Sequence, residues 1–191
     1  MVRSGRAPGR GCASIPEVIA LVYAHPYPDR SRANRLLLES VRDLPGLEVR
    51  SLYDRYPDFA IDVAAEQAWL AGAHTLVWQH PIYWYSVPGL MKHWIDKVLV
   101  HGWAYGEGGT ALRGKRALWV CTTGGDPAAY GPDGMHAHPF EVYEPPIRQT
   151  ARFCGMEWLD PVVVHGAHRV PESELYACAA RYRARLEGLA R

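Results

Sequence analysis

Short apolar runs alternate along the chain with stretches in which apolar residues recur every three or four positions. The first run, residues 18–23, is apolar throughout, which predicts a strand covered by helices on both faces. The next stretch carries an apolar stripe with helical spacing, formed by Ala33, Leu37, Val41 and Leu44. Pro45 and Gly46 follow the stripe and predict the end of that helix.

The same alternation continues to the end of the chain. Further strands are predicted at residues 47–53, 75–79, 116–121 and 162–164. Further helices are predicted at residues 62–73, 88–101, 145–153 and 171–191, the first of them capped by Asp62. Strands joined by helical crossovers are typical of a parallel sheet. The predicted fold class is therefore α/β, a flavodoxin-like three-layer sandwich with a five-stranded parallel sheet.

Length and composition fit one domain. The chain has 191 residues, of which 48% are hydrophobic, and residues 18–191 are predicted to form a single domain. Residues 1–17 lack the apolar segment of a secretory signal and are predicted to be a loose N-terminal extension. Residues 69–91 contain no Asp, Glu, Lys or Arg, but their histidines and prolines do not suit a lipid-facing helix. We therefore predict no membrane insertion.

Charge and cysteine content narrow the class of partner. The net charge is +1, so no general field attracts nucleic acid or an anionic membrane, and a small-molecule partner is favoured. The four cysteines lie far apart without a C-x-x-C motif, which argues against a disulfide framework and a zinc site. A cytoplasmic location is the resulting expectation.

The loop after the first strand suits an anion. In open parallel sheets, ligands bind outside the carboxyl ends of the strands. His25, Ser31 and Asn34 bring an imidazole, a hydroxyl and an amide to the N-terminus of the following helix, where phosphate groups bind. The alternative is that Ser31 only caps this helix and that His25 lies in a turn.

Aromatic and glycine-rich segments follow the third and fourth strands. Tyr83, Trp84 and Tyr85 come in succession after Pro81, where a flat ring could stack on them. Core packing explains any one of these aromatics, and explains three in a row less well. Residues 122–125 read Thr-Thr-Gly-Gly, a turn whose N–H groups suit a carbonyl-rich heterocycle, although the turn alone is weak evidence.

Other ligand-binding motifs fail on their context. Residues 106–111 spell a dinucleotide fingerprint and residues 109–115 most of a P-loop, but both lead into a strand where a helix is required. The histidine pairs 136/138 and 165/168 have no cysteine or carboxylate cluster that would complete a metal site. We interpret them as solvated loop histidines and predict no metal.

A family resemblance is carried by ordered blocks spread over residues 18–189. They are Tyr-Ala-His-Pro at 23–26, Trp-Gln-His-Pro-Ile-Tyr-Trp-Tyr at 78–85, His-Gly-Trp-Ala-Tyr-Gly at 101–106, and Thr-Thr-Gly-Gly at 122–125. Together they resemble the flavodoxin-like NAD(P)H:quinone oxidoreductases. Residues 51–67 and 106–115 are similar to the ancillary subunit of glutathione-regulated potassium-efflux systems.

The resemblance implies a cofactor and the residues that hold it. The cofactor is FMN, with FAD as the alternative, and NAD(P)H is the co-substrate. His25, Ser31 and Asn34 are implied to hold the flavin phosphate. The resemblance implies that the backbone amides of Ile82, Tyr83, Trp84 and Tyr85 line the flavin ring, with Trp84 against it. It also implies that Thr122, Thr123, Gly124 and Gly125 wrap the pyrimidine edge of the ring.

Catalytic and partner residues are implied in the same way. Tyr130 and His136 match a tyrosine and a histidine that act as acid and charge stabiliser. Tyr105 matches a residue that reaches the site of the other subunit, which implies a homodimer.

The activity implied is two-electron, ping-pong reduction of a quinone. The protein would also activate a potassium-efflux channel, which would bring it to the inner face of the membrane. One alternative is a regulatory module that mainly binds the channel, and another is an azo or nitro reductase. Residues 54–58 are a candidate docking loop, although a plain turn explains them equally well.

Overall fold

The computed structural model describes residues 17–191. Its sheet has five parallel strands in the order β2-β1-β3-β4-β5. The strands are β1 (Ile19–Tyr23), β2 (Leu47–Ser51), β3 (Thr75–Pro81), β4 (Arg116–Thr122) and β5 (Glu157–Val164). The strand order changes direction between β1 and β3, so the carboxyl ends of these two strands flank the crevice where such sheets bind ligands. The predicted α/β sandwich is confirmed.

Helices cover both faces of the sheet. They are α1 (Ala33–Val41), α2 (Leu52–Arg55), α3 (Val63–Gly72), α4 (Gly89–Val98), α5 (Pro145–Phe153) and α6 (Glu172–Leu189). Helices α1 and α6 pack on each other and on one face, and α3, α4 and α5 pack on the other. Single 3₁₀ turns lie in the loops at Pro28–Arg30, Pro127–Ala129 and Phe140–Tyr143.

Alternate side chains of the central strands fill the two cores, because successive residues of a strand point to opposite faces. Trp78 and Trp119 pack with α4 on one side of the sheet. Val77 and Leu118 pack with α1 and α6 on the other. Every residue of β1 and β3 is buried, as expected of strands covered on both faces.

Most predicted elements are confirmed, and one edge strand is longer than predicted. Asp62 caps α3, since its carboxylate accepts a hydrogen bond of 3.0 Å from the Ala65 N–H. Strand β5 begins at Glu157 rather than at residue 162. Its register against β4 shifts around residues 160–161, where an edge strand tolerates a proline.

The predicted second strand is too long, and the candidate docking loop, residues 54–58, begins inside a short helix. Strand β2 ends at Ser51, and α2 follows directly. Leu52 and Tyr56 both face the core, which a helical turn allows for residues four apart. Tyr56 is 5% exposed, and its hydroxyl donates to the buried Glu66 carboxylate at 2.6 Å. Tyr56 is therefore not available to a partner protein.

Glu17, which the sequence assigns to the N-terminal extension, contacts the domain. Its carboxylate pairs with Arg116, and its N–H donates to the Ala190 carbonyl oxygen at 3.1 Å. Residues 1–16 lie outside the described residues. Among the helices of residues 17–191, none is long and apolar enough to cross a membrane.

Candidate functional site

A cleft of about 290 Å³ opens at the carboxyl ends of β1, β3 and β4. The loop before α1, the segment after β3 and the turn after β4 form its walls. Its lining includes the predicted residues His25, Ser31, Asn34, Ile82, Tyr83, Thr122, Thr123 and Gly124. The structure thus brings together three segments that are far apart in sequence.

The first wall presents hydrogen-bond donors. The Tyr27 N–H donates to His25 Nδ1 at 3.1 Å, which leaves Nε2 as the N–H donor of this imidazole. Burial, and then the nearby His168, lowers the pKa of His25, so the ring is neutral at pH 7. Within residues 17–191, the N–H groups of Arg32, Ala33 and Asn34 have no hydrogen-bond partner. These groups form a donor-rich end of α1, as anions require.

Ser31 also caps the helix in this structure. Its hydroxyl oxygen accepts a hydrogen bond of 3.2 Å from the Arg35 N–H, and the side chain is 7% exposed. A hydroxyl that accepts from the helix retains its own proton for a ligand. The capping and the anion-binding interpretations of Ser31 are therefore compatible.

Asn34 is more buried than the sequence suggests. Its amide donates to the Thr122 hydroxyl at 2.6 Å, and Gln79 donates to the Asn34 backbone oxygen at 2.9 Å. The Tyr182 hydroxyl donates to Gln79 at 3.1 Å. This network ties α1, β3, β4 and α6 together beneath the cleft. Sequence reasoning missed Gln79 and Tyr182, because their partners are distant along the chain.

The second wall is a tight turn after β3. Tyr83 and Ser86 exchange two backbone hydrogen bonds of 3.0 Å. The two residues between them, Trp84 and Tyr85, have φ angles of 48° and 63°, a costly conformation for bulky side chains. Their N–H groups have no hydrogen-bond partner within residues 17–191, and Trp84 is 92% exposed.

Only some of the backbone N–H groups that were predicted to contact a ligand at this turn are free to do so. The Ile82 N–H donates to the Thr122 carbonyl oxygen at 2.8 Å, and the Tyr83 N–H is bound to Ser86. The expectation that all four residues, Ile82 to Tyr85, offer N–H groups to a ligand is therefore wrong for the first two. Trp84 and Tyr85 retain theirs.

The third wall is the Thr-Thr-Gly-Gly turn. The Thr123 N–H donates to the Val164 carbonyl oxygen at 2.9 Å, which extends the β4–β5 ladder and removes this donor from the site. The Thr123 hydroxyl donates to the Gly125 carbonyl oxygen at 2.7 Å. Within residues 17–191, the N–H groups of Gly124 and Gly125 remain without a partner. These two glycines are the donors that the turn offers.

Tyr130 and His136 lie beside this turn. Their rings stack with centroids 4.5 Å apart. A Cβ atom on Gly125 would lie 3.0 Å from His136 Nε2 and 3.3 Å from the Tyr130 ring, so a larger residue there would require these side chains to shift by a few tenths of an ångström. Among the described residues 17–191, His136 Nδ1 is buried without a hydrogen-bond partner, and burial raises the pKa of Tyr130.

The histidines of the β5–α6 loop are not simply solvated. His165 Nδ1 lies 3.1 Å from the Thr123 hydroxyl, and its ring is 5.3 Å from that of Tyr130. His168 lines the cleft on the side of His25. Tyr143 stacks on Tyr85 at 5.1 Å. These three residues were missed, since a single histidine or tyrosine in a loop carries no distinguishing pattern.

Tyr105 lies away from the cleft of its own chain. Its ring packs 4.9 Å from that of Phe153, which is 63% exposed. The loop that holds it enters β4 at Arg116, at the amino end of the sheet. Within one subunit, the structure does not bring Tyr105 together with the other predicted site residues.

A family model described as a flavodoxin-like fold matches residues 18–186. The chain belongs to this family. Within the family it is 51% identical, over 170 residues, to the glutathione-regulated potassium-efflux system ancillary protein KefF of Citrobacter koseri. The match covers 88% of this chain and 95% of that protein. The family suggested by the sequence blocks is thereby confirmed.

Solved structures support the same fold. A general stress protein 14 of Treponema denticola, in complex with FMN, is 34% identical with a TM-score of 0.84, over 90% of this chain and 99% of that one. A thermophilic tryptophan halogenase from Streptomycin violaceusniger is 39% identical with a TM-score of 0.83, over 88% and 98%. An NADPH-quinone reductase from P. pentosaceus, at 23% identity and a TM-score of 0.79 over 88% and 96%, shares the fold.

Proposed function

We propose that the protein is an FMN-dependent NAD(P)H:quinone oxidoreductase that also serves as the ancillary subunit of a potassium-efflux channel. The observation that carries the redox function is the cleft, where the donor-rich start of α1, Ile82 and Tyr83 after β3 and Gly124 after β4 meet at the carboxyl ends of the strands. Trp84, Tyr85 and Gly125 follow these lining residues directly along the chain. The 51% identity to KefF over nearly the whole of that protein supports the channel role.

The donors in the cleft fit FMN. His25 Nε2, the Ser31 hydroxyl and the N–H groups at the start of α1 would hold the phosphate. The N–H groups of Trp84, Tyr85, Gly124 and Gly125 would bind the polar edge of the ring. FMN binding by the Treponema denticola structure supports this assignment.

Bound FMN would supply two-electron transfer from NAD(P)H to a quinone. The chain's contribution is to stabilise negative charge at the ring edge. Fixed N–H donors at Gly124 and Gly125 do this without reorganising during the reaction. Tyr130 would serve as the acid, since a tyrosine hydroxyl is protonated at neutral pH and burial raises the pKa of Tyr130 further, and His136 beside it would stabilise the charge.

The test is cofactor binding followed by steady-state kinetics. We expect the purified protein to bind FMN noncovalently and to reduce quinones with parallel lines in double-reciprocal plots, because one cleft serves both substrates in turn. Intersecting lines would exclude this scheme. Parallel assays with azo dyes and nitro compounds identify the acceptor class, and faster turnover of either would contradict the quinone assignment.

A further inference from the structure

A buried imidazole lies beneath the candidate site. His80, near the end of β3, is fully buried. The Trp119 indole N–H donates to His80 Nε2 at 2.7 Å, and His80 Nδ1 lies 2.9 Å from the Pro81 carbonyl oxygen. Because Nε2 accepts, the proton of the neutral ring sits on Nδ1 and is donated to Pro81. Both ring nitrogens are therefore paired, Nε2 to the neighbouring strand β4 and Nδ1 to the last residue of β3 itself.

The bond to Pro81 fixes the start of the aromatic turn. Pro81 is the last residue of β3, and the next residue, Ile82, is bound through its N–H to Thr122 at 2.8 Å. Beyond these two bonds come Trp84 and Tyr85 with their positive φ angles. Strained turns persist only where the surrounding structure holds them. His80 supplies one of the two hydrogen bonds that anchor this turn on its β3 side.

The bond to Trp119 leads to the opposite wall of the site. The Trp119 ring stacks on Phe140, with centroids 5.8 Å apart and an interplanar angle of 14°. Phe140 in turn contacts Tyr130 edge-on at 5.4 Å and His165 at 5.1 Å. A continuous set of contacts therefore joins the turn after β3 to the aromatic rings of Tyr130 and His165.

We propose that His80 is a positioning residue that holds the aromatic turn after β3 in place relative to Tyr130, which lies beside the third wall. His80 would thereby fix the spacing of the two sides of the flavin site. This inference rests on the proposed function. An apolar residue would fill the same space at lower desolvation cost, but it would release both the Pro81 carbonyl oxygen and the Trp119 N–H. His80 acts through these groups and does not itself line the cleft.

The structure offers a matched pair of substitutions. Trp119→Phe removes the hydrogen bond to His80 and keeps an aromatic ring against Phe140. Trp78→Phe is the control, because Trp78 pairs with Trp119 in the β3–β4 register, is also buried, and has an indole N–H that finds no partner among residues 17–191. His80→Gln retains an acceptor near the position of Nε2, and His80→Leu retains none.

The measurements are the Kd for FMN, deuterium uptake by residues 81–87, and the melting temperature of the apoprotein. We expect Trp119→Phe and His80→Leu to raise the Kd about tenfold and to increase uptake, since small displacements at a binding site are costly. Trp78→Phe should leave the Kd and uptake within about twofold of the wild type. His80→Gln should lie between the wild type and His80→Leu.

Two results would overturn the inference alone while the proposed function stands. One is wild-type Kd and uptake in Trp119→Phe, including the case where only its melting temperature falls, which would indicate a purely structural role. The other is an equal loss in Trp119→Phe and Trp78→Phe, which would indicate general core disruption. If the wild type itself fails to bind FMN, the proposed function falls and the inference falls with it. Should His80→Leu not fold, the Trp119→Phe and Trp78→Phe pair decides.

Discussion

At the scale of single residues, several buried polar side chains are held by specific partners on other elements. His80, Asn34 and Gln79 lie in the interior, and each is hydrogen-bonded to a residue on another element. His80 is also hydrogen-bonded to Pro81, the last residue of β3. Glu66 is fully buried and is held by Arg50, Tyr56 and Trp94. Such pairing is costly to break, because a buried group without its partner retains its desolvation penalty.

The titration of His80 leads to the first prediction. Burial lowers the pKa of His80 to about 4, against about 6.5 in an unfolded chain. The unfolded state therefore binds more protons between these values, and stability rises with pH from about 4 to 6.5 and is lost as the pH falls. The shift corresponds to about 3 kcal/mol.

Urea unfolding of the apoprotein at pH 7 and pH 4.5 measures this effect. His80→Gln should lose less stability over that interval than the wild type. His74→Gln, which changes an exposed histidine next to the same strand, should behave like the wild type. Equal pH dependence in the wild type and His80→Gln would contradict the buried, neutral state of the ring.

Tyr130 and His136 carry the second prediction. Tyr130→Phe and His136→Ala should each slow anaerobic flavin reduction by about 10- to 100-fold, because fixed donors beside developing charge are lost from a half-buried site. FMN affinity should change little, since the phosphate is held elsewhere. His138→Ala, an exposed loop histidine, is the control. Unchanged stopped-flow rates in both variants would remove these residues from the catalytic machinery.

At the scale of elements, each loop at the sheet edge contributes a different kind of donor. The end of α1 offers side-chain and backbone donors for an anion. The turns after β3 and β4 offer backbone N–H groups, some of which the sheet itself consumes. Whether an N–H group is available to a ligand therefore depends less on the element that carries it than on the hydrogen bonds that this element already makes.

The third prediction concerns the start of α1. Ser31→Ala should weaken FMN binding by about tenfold or more, as expected for a lost hydrogen bond to a charged group. Riboflavin, which lacks the phosphate, should bind the wild type and the variant equally. Ser40→Ala, on the same helix with its hydroxyl bound to Leu37, is the control. An equal loss for FMN and riboflavin would place Ser31 away from the phosphate.

At the scale of the whole molecule, one copy of the chain does not bring every predicted site residue to the cleft. Tyr105 lies at the amino end of the sheet and the cleft at the carboxyl end. A Tyr105 that contributes to catalysis must therefore act on a second copy of the chain. Closed homodimers make such an exchange reciprocal, so that each subunit completes the site of the other.

The fourth prediction tests this arrangement by mixing two inactive variants. Tyr105→Ala and His136→Ala homodimers should both be impaired. Subunit exchange at equal amounts should restore roughly a quarter of wild-type activity, because half of the dimers are mixed and each then holds one intact site. No recovery in confirmed mixed dimers would show that Tyr105 does not act across the interface.

The fifth prediction concerns channel activation. Tyr56 is buried, so Asp54 and Arg55 are the exposed residues of α2 that a channel could contact, and the Arg55 side chain is 46% exposed. Arg55→Ala should lower potassium efflux in cells that carry the cognate channel while quinone reduction stays at the wild-type level. Arg42→Ala, after α1 on the other face of the sheet, is the control. Full efflux with Arg55→Ala would exclude Arg55 as a docking residue.

The sequence by itself determined the strands and main helices, their order and the three loops that meet at the sheet edge. These features follow from local signals, namely the period of apolar residues, the cap at Asp62 and the glycines and prolines of the turns. The resemblance to a family added the residues to look for within those loops.

Only the tertiary structure decided which groups of those loops are free. The N–H groups of Ile82 and Thr123 donate to the carbonyl oxygens of Thr122 and Val164. The Tyr56 side chain is buried, with its hydroxyl hydrogen-bonded to Glu66. His80 gains its significance from Trp119, on the next strand of the sheet. Each of these outcomes depends on partners brought close by strand order and helix packing, which no local pattern encodes.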